Sequence, residues 1–146
     1  RKYIPDLEFY NDDMNNNIII KDLMSHRTGL PRHDYSWYLF PSHDRDSLMQ
    51  RIKYQEPFTG IRQQWYYNNF MFLAQGVIAK KITGKSWEDN IRERFLMPLG
   101  MSRTNVTIDE MKSANNAAFG YETKKDNSNS KMDYYDIAAG TCRKYK

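Results

Sequence analysis

The sequence contains a single cysteine, Cys142, among its 146 residues. One thiol cannot form an internal disulfide or, by itself, a metal site. No apolar run approaches the roughly 20 residues that a membrane-spanning helix needs, so we expect no membrane span. Neither a G-x-S-x-G nucleophile elbow nor a glycine-rich phosphate loop occurs, which removes the usual sequence markers of those two reaction classes.

The excess of positive over negative charge is also small. The net charge is +4, from 22 basic and 18 acidic side chains that are scattered along the chain. Because no basic helix face emerges, we expect no nucleic-acid partner. The three histidines, His26, His33 and His43, lie in loop-like segments without the spacing of a helical metal-binding pair. We therefore expect no metal and no cofactor, and we interpret these histidines as solvated loop residues, with His26 fixing its own turn.

The length predicts one domain over residues 1–146. The chain begins Arg1-Lys2-Tyr3 without a methionine, so we expect it to be cut from a longer protein.

The apolar pattern predicts a mainly α fold with one small β-hairpin. Apolar side chains from Phe70 to Ile82 recur at steps of three and four, and Gly84 then ends this helix. A second helix follows until Pro98, and the capping-box pair Thr107 and Glu110 starts a third. Strand-like segments at 118–121 and 132–137, around a polar turn at 124–131, predict the hairpin.

The first half of the chain has weaker patterns. Residues 1–17 and 32–46 read as loops. A short helix is expected from about Ile19 to Met24, ended by the segment SHRTGLP, and another over residues 47–54. Gly29 suits a left-handed position and Pro31 prevents the helix from resuming.

The segment QWYYNNF, residues 64–70, is the strongest candidate for chemistry. A tyrosine hydroxyl can transfer protons, and a carboxamide can orient a substrate amide. Tyr67 and Asn69 therefore could line one cleft. The alternative is structural: Tyr67 packs and Asn69 caps the following helix, since asparagine is a leading N-cap residue.

Longer motifs surround this pair. Residues 64–104 match the pattern W-x-Y-x-N … G … I … TGKS … PLGM-x-x-T, and residues 18–31, IIIKDLMSHRTGLP, resemble I-T-I-x-D-L-L-x-H-x-S-G-L-P. Over residues 18–140 the chain resembles the serine β-lactamase-like superfamily of class C β-lactamases, penicillin-binding DD-peptidases and esterases. Residues 141–146 diverge from it. Ile19 stands where the family usually has threonine, so we expect the first helix to lack a side-chain cap.

This resemblance implies that the chain corresponds to the all-helical subdomain of an α+β fold. It implies a serine hydrolase that cleaves β-lactams, peptidoglycan peptides or esters through an acyl-enzyme. Tyr67 would relay protons and Asn69 would orient the substrate. Exported, periplasmic or cell-envelope location is the family's usual one.

Two further family motifs are missing from the sequence. No K-T-G or H-T-G strand motif occurs. The one S-x-x-K match, Ser128 to Lys131, lies in a polar turn after Tyr67, whereas the family's lies before the helical region, so we interpret it as chance. We therefore expect a fragment that is inactive alone. The alternative is a non-catalytic module that binds a partner or self-associates through exposed aromatic side chains.

Overall fold

A computed structural model describes residues 2–132 of the chain. These residues are mainly helical and carry one two-stranded antiparallel sheet, which confirms the predicted fold class. The helices are α1 (Asp12–Asn17), α2 (Ile20–Met24), α3 (Tyr35–Leu39), α4 (Arg45–Met49), a 3-10 turn (Ile52–Tyr54), α5 (Asn69–Thr83), α6 (Trp87–Ile91), a π-helical turn (Arg92–Leu96) and α7 (Ile108–Ser113). None of the helices in this part of the chain is long and apolar enough to cross a membrane.

The chain divides into two compact units, Arg1–Trp87 and Glu88–Lys146. The first unit contains the main hydrophobic core and the candidate site, and the second contains α7 and the hairpin. That residues 1–146 form a single domain stays a prediction.

Helix α5 forms the centre of the first unit. Its predicted apolar stripe is buried from Phe70 to Ile78, whereas Ile82 at the end is exposed. Gly84 ends the helix in the left-handed region with φ +71°. Burial of this stripe against α2 and α4 stabilises the helix more than its intrinsic propensity does. The core cluster comprises Ile4, Phe9, Met14, Leu23, Leu30, Met49, Ile52, Phe70, Met71, Ala74, Val77 and Ile78.

Two segments that read as loops contain helices. In residues 1–17 the Asn11 side chain accepts a hydrogen bond from Met14 N–H at 2.9 Å and starts α1, whose Met14 is buried in the core. In residues 32–46 helix α3 forms, although none of its residues is fully buried. Both helices are shorter than two turns, so no repeating apolar pattern marks them.

The other short helices agree with the sequence. Helix α4 and the 3-10 turn cover the predicted 47–54 helix, and α6 continues into the π-helical turn before Pro98. The capping box of α7 is present: Thr107 Oγ1 accepts from Glu110 N–H, and the Glu110 carboxylate accepts from Thr107 N–H, both at 3.2 Å.

The predicted hairpin is present with different strand bounds. Strand β1 (Tyr121–Thr123) pairs with β2 (Asn129–Lys131), and Tyr121 stands opposite Lys131. The turn is shorter than predicted, because Lys124 N–H bonds to Ser128 O at 2.8 Å. Residues 133–137 of the predicted second strand, and the divergent tail 141–146, lie outside the described residues.

Candidate functional site

The candidate pair lies where the chain enters α5. Asn69 is the first residue of the helix, and Tyr67 is two residues before it, outside any helix or strand. The Tyr67 hydroxyl donates a hydrogen bond to Asn69 Oδ1 at 3.1 Å. The structure therefore brings the two predicted site residues into direct contact.

This pair keeps hydrogen-bonding capacity for a ligand. The Tyr67 side chain is 36% exposed and Asn69 is half-buried. Within residues 2–132 no group accepts a hydrogen bond from Asn69 Nδ2. The phenol oxygen can still accept a hydrogen bond and the amide can donate one. Such a pair can receive a hydroxyl on one side and a carbonyl oxygen on the other.

Asn68, rather than Asn69, caps α5. Asn68 Oδ1 accepts from Phe70 N–H at 2.8 Å, while its Nδ2 donates to Pro31 O at 2.7 Å and to Gln55 Oε1 at 2.9 Å. The side chain is fully buried, so these bonds satisfy polar atoms that water cannot reach. The interpretation of Asn69 as the cap is therefore wrong, and Asn69 is left free of that role.

The ring of Tyr67 does pack, as the structural interpretation expected. It lies 4.5 Å from the His26 ring, centroid to centroid, and 6.3 Å from Trp65. The Arg32 guanidinium lies over the Tyr67 ring at 5.1 Å and also pairs with Asp34 through Nε at 2.7 Å. Packing fixes the ring while the hydroxyl remains at the surface with Asn69.

His26 is buried, so its interpretation as a solvated loop residue is wrong. Its Nδ1 accepts a hydrogen bond from Asn68 N–H at 3.2 Å, which requires the neutral ring. Burial lowers the pKa of His26 below its ordinary value, because an apolar surrounding disfavours the charged form. The ring of Phe72, on α5, also packs against the His26 ring, at 5.0 Å between centroids.

An ion pair anchors the turn that carries His26. Arg62 Nε and Nη2 bond to the two carboxylate oxygens of buried Asp22 at 2.9 and 2.7 Å. Asp22 also accepts from Ile19 N–H at 3.0 Å, so the start of α2 is satisfied although Ile19 provides no side-chain cap, as predicted. Burial alone would raise the pKa of Asp22, but the hydrogen bonds from Arg62 and Ile19 and the charge of Arg62 lower it.

Close backbone approach fixes the same turn to the loop before α5. Gly29 has φ +85°, and its carbonyl accepts from Phe58 N–H at 2.8 Å. A Cβ built on Gly29 would lie 2.2 Å from Thr59 O, which only glycine avoids. The SHRTGLP segment therefore both ends α2 and supports the candidate pair. Sequence reasoning found this turn but missed its contact with Tyr67, because the two segments are about 40 residues apart.

The S-x-x-K match lies in the second unit. The Ser128 hydroxyl donates to Asp126 Oδ1 at 2.6 Å in the hairpin turn, and Lys131 Nζ lies 3.2 Å from the Phe119 ring centroid. Extended backbone points residues three apart to opposite faces, unlike the single face they would share on a helix. Among residues 2–132 no three His, Cys, Asp or Glu side chains group as metal ligands.

Comparison with known proteins gives consistent relatives. The family model described as Beta-lactamase matches residues 1–141. Unguisins hydrolase ungD' of Aspergillus campestris is 33% identical over 111 residues, which are 73% of this chain and 21% of that protein. Penicillin-binding protein 4* of Bacillus subtilis is 32% identical over 101 residues, 61% of this chain and 21% of that protein.

Among solved structures, the octameric penicillin-binding protein homologue from Pyrococcus abyssi superposes with a TM-score of 0.73 at 19% identity, over 90% of this chain and 31% of that one. The chain spans about a fifth of the length of the two curated relatives. Because the family match covers nearly the whole sequence and the fold agrees with it, this chain belongs to the Beta-lactamase family.

Proposed function

We propose that this chain is the helical part of a serine hydrolase and that Tyr67 and Asn69 form one wall of its acyl-transfer site. The observation that carries the proposal is the hydrogen bond between Tyr67 Oη and Asn69 Oδ1 at the exposed start of α5. This bond does not cap the helix, because Asn68 already does so. Two polar groups held together at the surface without a capping role favour a functional explanation.

The proposed reaction is acyl transfer to a serine. A serine oxygen attacks the substrate carbonyl carbon, and the bond to the leaving group breaks with a proton supplied to that group. Tyr67 would carry the proton from the nucleophile to the leaving group, and Asn69 Nδ2 would donate a hydrogen bond to a substrate carbonyl. Water then hydrolyses the acyl-enzyme. The proposed substrates are β-lactams, peptidoglycan-type peptides or small esters.

The 146-residue chain should not catalyse this reaction alone. The serine of its S-x-x-K match lies in the hairpin turn, with its hydroxyl bonded to Asp126. Because the chain then has no nucleophile, covalent catalysis is lost. Incubation with ampicillin and with a chromogenic ester, followed by mass spectrometry of the intact protein, should show no acyl adduct. An adduct on any serine of the chain would overturn this part of the proposal.

A chimera tests the roles of Tyr67 and Asn69. In the chimera, the matched segment of penicillin-binding protein 4* of Bacillus subtilis is replaced by the matched residues of this chain. Tyr67→Phe should lower kcat for the chromogenic ester by about 10²- to 10⁴-fold, the usual contribution of general acid–base catalysis.

Tyr66→Phe is the matched control for the chimera. Its hydroxyl bonds to Gln64 Oε1 at 2.7 Å and takes no part in the proposed site, so its kcat should remain within about threefold of the parent chimera. Equal kcat values for the Tyr66 and Tyr67 variants would overturn the proposal. So would a chimera that is folded by circular dichroism but inactive.

A second candidate function is self-association. Tyr35, Leu39 and Phe40 at α3 are 79%, 68% and 65% exposed, and apolar surface of this kind favours contact with a second copy. Light scattering should then give twice the mass of one chain. Leu39→Ser should restore the mass of one chain, whereas Leu99→Ser, at an equally exposed leucine in the second unit, should not. A single-chain mass for the unsubstituted protein would exclude this function.

A further inference from the structure

His26 binds the backbone of the residues on both sides of Tyr67. Its backbone carbonyl accepts from Tyr66 N–H at 3.0 Å, and its Nδ1 accepts from Asn68 N–H at 3.2 Å. Between these two bonds, the Tyr67 ring lies against the His26 ring at 4.5 Å. One residue therefore holds the backbone before and after Tyr67 and also supports its ring.

We propose that His26 is a positioning residue for the Tyr67–Asn69 pair, a role that rests on the proposed function of that pair. His26 acts through Tyr67 and Asn68 and does not itself touch Asn69 in the described contacts. Its own backbone has φ +54°, a left-handed conformation that histidine tolerates better than most residues. This conformation allows the carbonyl and the ring to reach the same segment.

His26 can bind the Asn68 N–H only while its ring is neutral. Nδ1 accepts a hydrogen bond only when unprotonated, so protonation removes the bond from Asn68 N–H. The groups that face the ring are mostly apolar: Trp65, Tyr67 and Phe72 surround it. Arg27 follows His26 in the chain, and Arg32, which pairs with Asp34, lies over the Tyr67 ring.

Two carboxylates lie on the neighbouring segments, but Asp22 is paired with Arg62 and Asp34 with Arg32. Burial lowers the pKa of His26. Protonation of His26 would place a second positive charge beside the Tyr67 ring, because the Arg32 guanidinium already lies over that ring. Acidification should consequently release the Asn68 N–H bond and displace Tyr67 from Asn69.

Nuclear magnetic resonance of the 146-residue chain tests the coupling without any catalysis. The protein is labelled with ¹⁵N and with ¹³C at tyrosine Cζ, and Tyr67 is assigned by loss of its signal in Tyr67→Phe. Between pH 8 and pH 5, the Asn68 amide and Tyr67 Cζ signals should shift with one shared midpoint, equal to that of the His26 ring. Titration of His26 with both other signals unchanged would overturn the proposal.

Two substitutions separate the acceptor from the ring. His26→Asn keeps an acceptor near the position of Nδ1 and suits positive φ, whereas His26→Phe keeps the ring and loses the acceptor. The Asn68 amide should exchange with solvent at least about tenfold faster in His26→Phe than in His26→Asn, and neither variant should show the acid-induced shift.

The matched control is His33→Phe, because His33 is exposed and also has positive φ, +50°. It reports the cost of phenylalanine in that conformation without the contacts of His26. Its Asn68 and Tyr67 signals should titrate as in the unsubstituted protein. Equal Asn68 protection in His26→Phe and His26→Asn would overturn the proposal.

The chimera gives the functional measurement. A misplaced Tyr67 should lower kcat by about 10²-fold in His26→Phe while KM stays within about threefold. His26→Asn should recover part of that loss and remove the decrease in kcat at acidic pH. If Tyr67→Phe leaves the chimera fully active, the proposed function fails but the titration coupling can still hold. If the signals do not titrate together, the positioning role fails while the proposed function stands.

Discussion

Asn68 and Phe70 are joined by the hydrogen bond that begins α5, from Phe70 N–H to Asn68 Oδ1 at 2.8 Å. The amide nitrogen of the same side chain holds Pro31 O and Gln55 Oε1, so one buried residue connects the helix to two loops. Within the described residues, the side chain of its neighbour Asn69 bonds only to Tyr67. Adjacent asparagines thus have separate roles, one in folding and one in the candidate site.

Asn68→Ala should therefore destabilise the first unit strongly. Loss of the cap costs about 0.5–2 kcal/mol, and each buried partner left unsatisfied adds about 1–3 kcal/mol. We expect a decrease of roughly 3 kcal/mol in the free energy of unfolding. Urea titration followed by tryptophan fluorescence measures it, because Trp37, Trp65 and Trp87 all lie in that unit.

Asn69→Ala is the control for this measurement. It removes one partly exposed bond and should change the free energy of unfolding by less than about 0.5 kcal/mol. Comparable losses for the two variants would contradict the assignment of the cap to Asn68.

Gly29→Ala should destabilise more than Gly84→Ala. Both glycines have positive φ, +85° and +71°, so alanine pays a conformational cost of about 1–2 kcal/mol at each. A Cβ on Gly29 would also lie 2.2 Å from Thr59 O, whereas one on Gly84 meets nothing within 4 Å. We expect Gly29→Ala to lose at least about 2 kcal/mol more, measured by the same urea titration. Equal losses would show that the approach to Thr59 relaxes without cost.

The Asp22–Arg62 pair should contribute stability that acid removes. The pKa of Asp22 is lowered in the folded state, so the unfolded chain binds the proton more readily and protonation favours unfolding. The contribution is present above the ordinary aspartate value of 3.8 and is lost as pH falls through the lower, folded value. Asp22→Asn should remove this acid step.

At neutral pH the same substitution leaves Arg62 without its carboxylate. Breaking a buried pair costs about 3–5 kcal/mol, but the Arg62 side chain is 46% exposed, so we expect roughly 2 kcal/mol. Urea titrations at pH 7 and at successively lower pH measure both effects. Asp89→Asn is the control, since Asp89 is 52% exposed and pairs with Arg92 in the second unit. An Asp22→Asn variant as stable as Asp89→Asn would contradict the anchoring role of the pair.

His26 predicts a second pH step, in a different range. Its pKa is lowered by burial, so the unfolded chain again binds the proton more readily. This contribution is complete above the ordinary histidine value of 6.5 and declines as pH falls through the folded value. The unsubstituted first unit should therefore be less stable at pH 5 than at pH 7.5. His26→Asn should lose less stability over that range, because only His33, whose pKa desolvation also lowers, still contributes. An equal loss of stability in His26→Asn and in the unsubstituted protein would assign the whole step to other groups.

Several features follow from local sequence. The apolar repeat from Phe70 to Ile82, the left-handed Gly84 and the Thr107–Glu110 capping box each depend on residues within a few positions of one another, so pattern and propensity were enough. The motifs around Tyr67 likewise indicated the family, which the match over residues 1–141 shows.

Other features depend on contacts between distant segments. The loop prediction for residues 1–17 agrees with residues 2–11 but not with α1, because Ile4, Phe9 and Met14 have no helical or strand period and are joined only by burial in a shared core. Helix α3 has only five residues, too few for a repeating apolar pattern, so the sequence does not predict it.

By itself the sequence determined the candidate residues, a phenol and a carboxamide two positions apart before a helix. Only the tertiary structure decided which of two adjacent asparagines caps that helix. It also decided that His26, some 40 residues earlier, binds the backbone on both sides of Tyr67. The physical reason is burial. A side chain's hydrogen-bond partners depend on which groups the fold removes from water together, and sequence spacing carries no record of that.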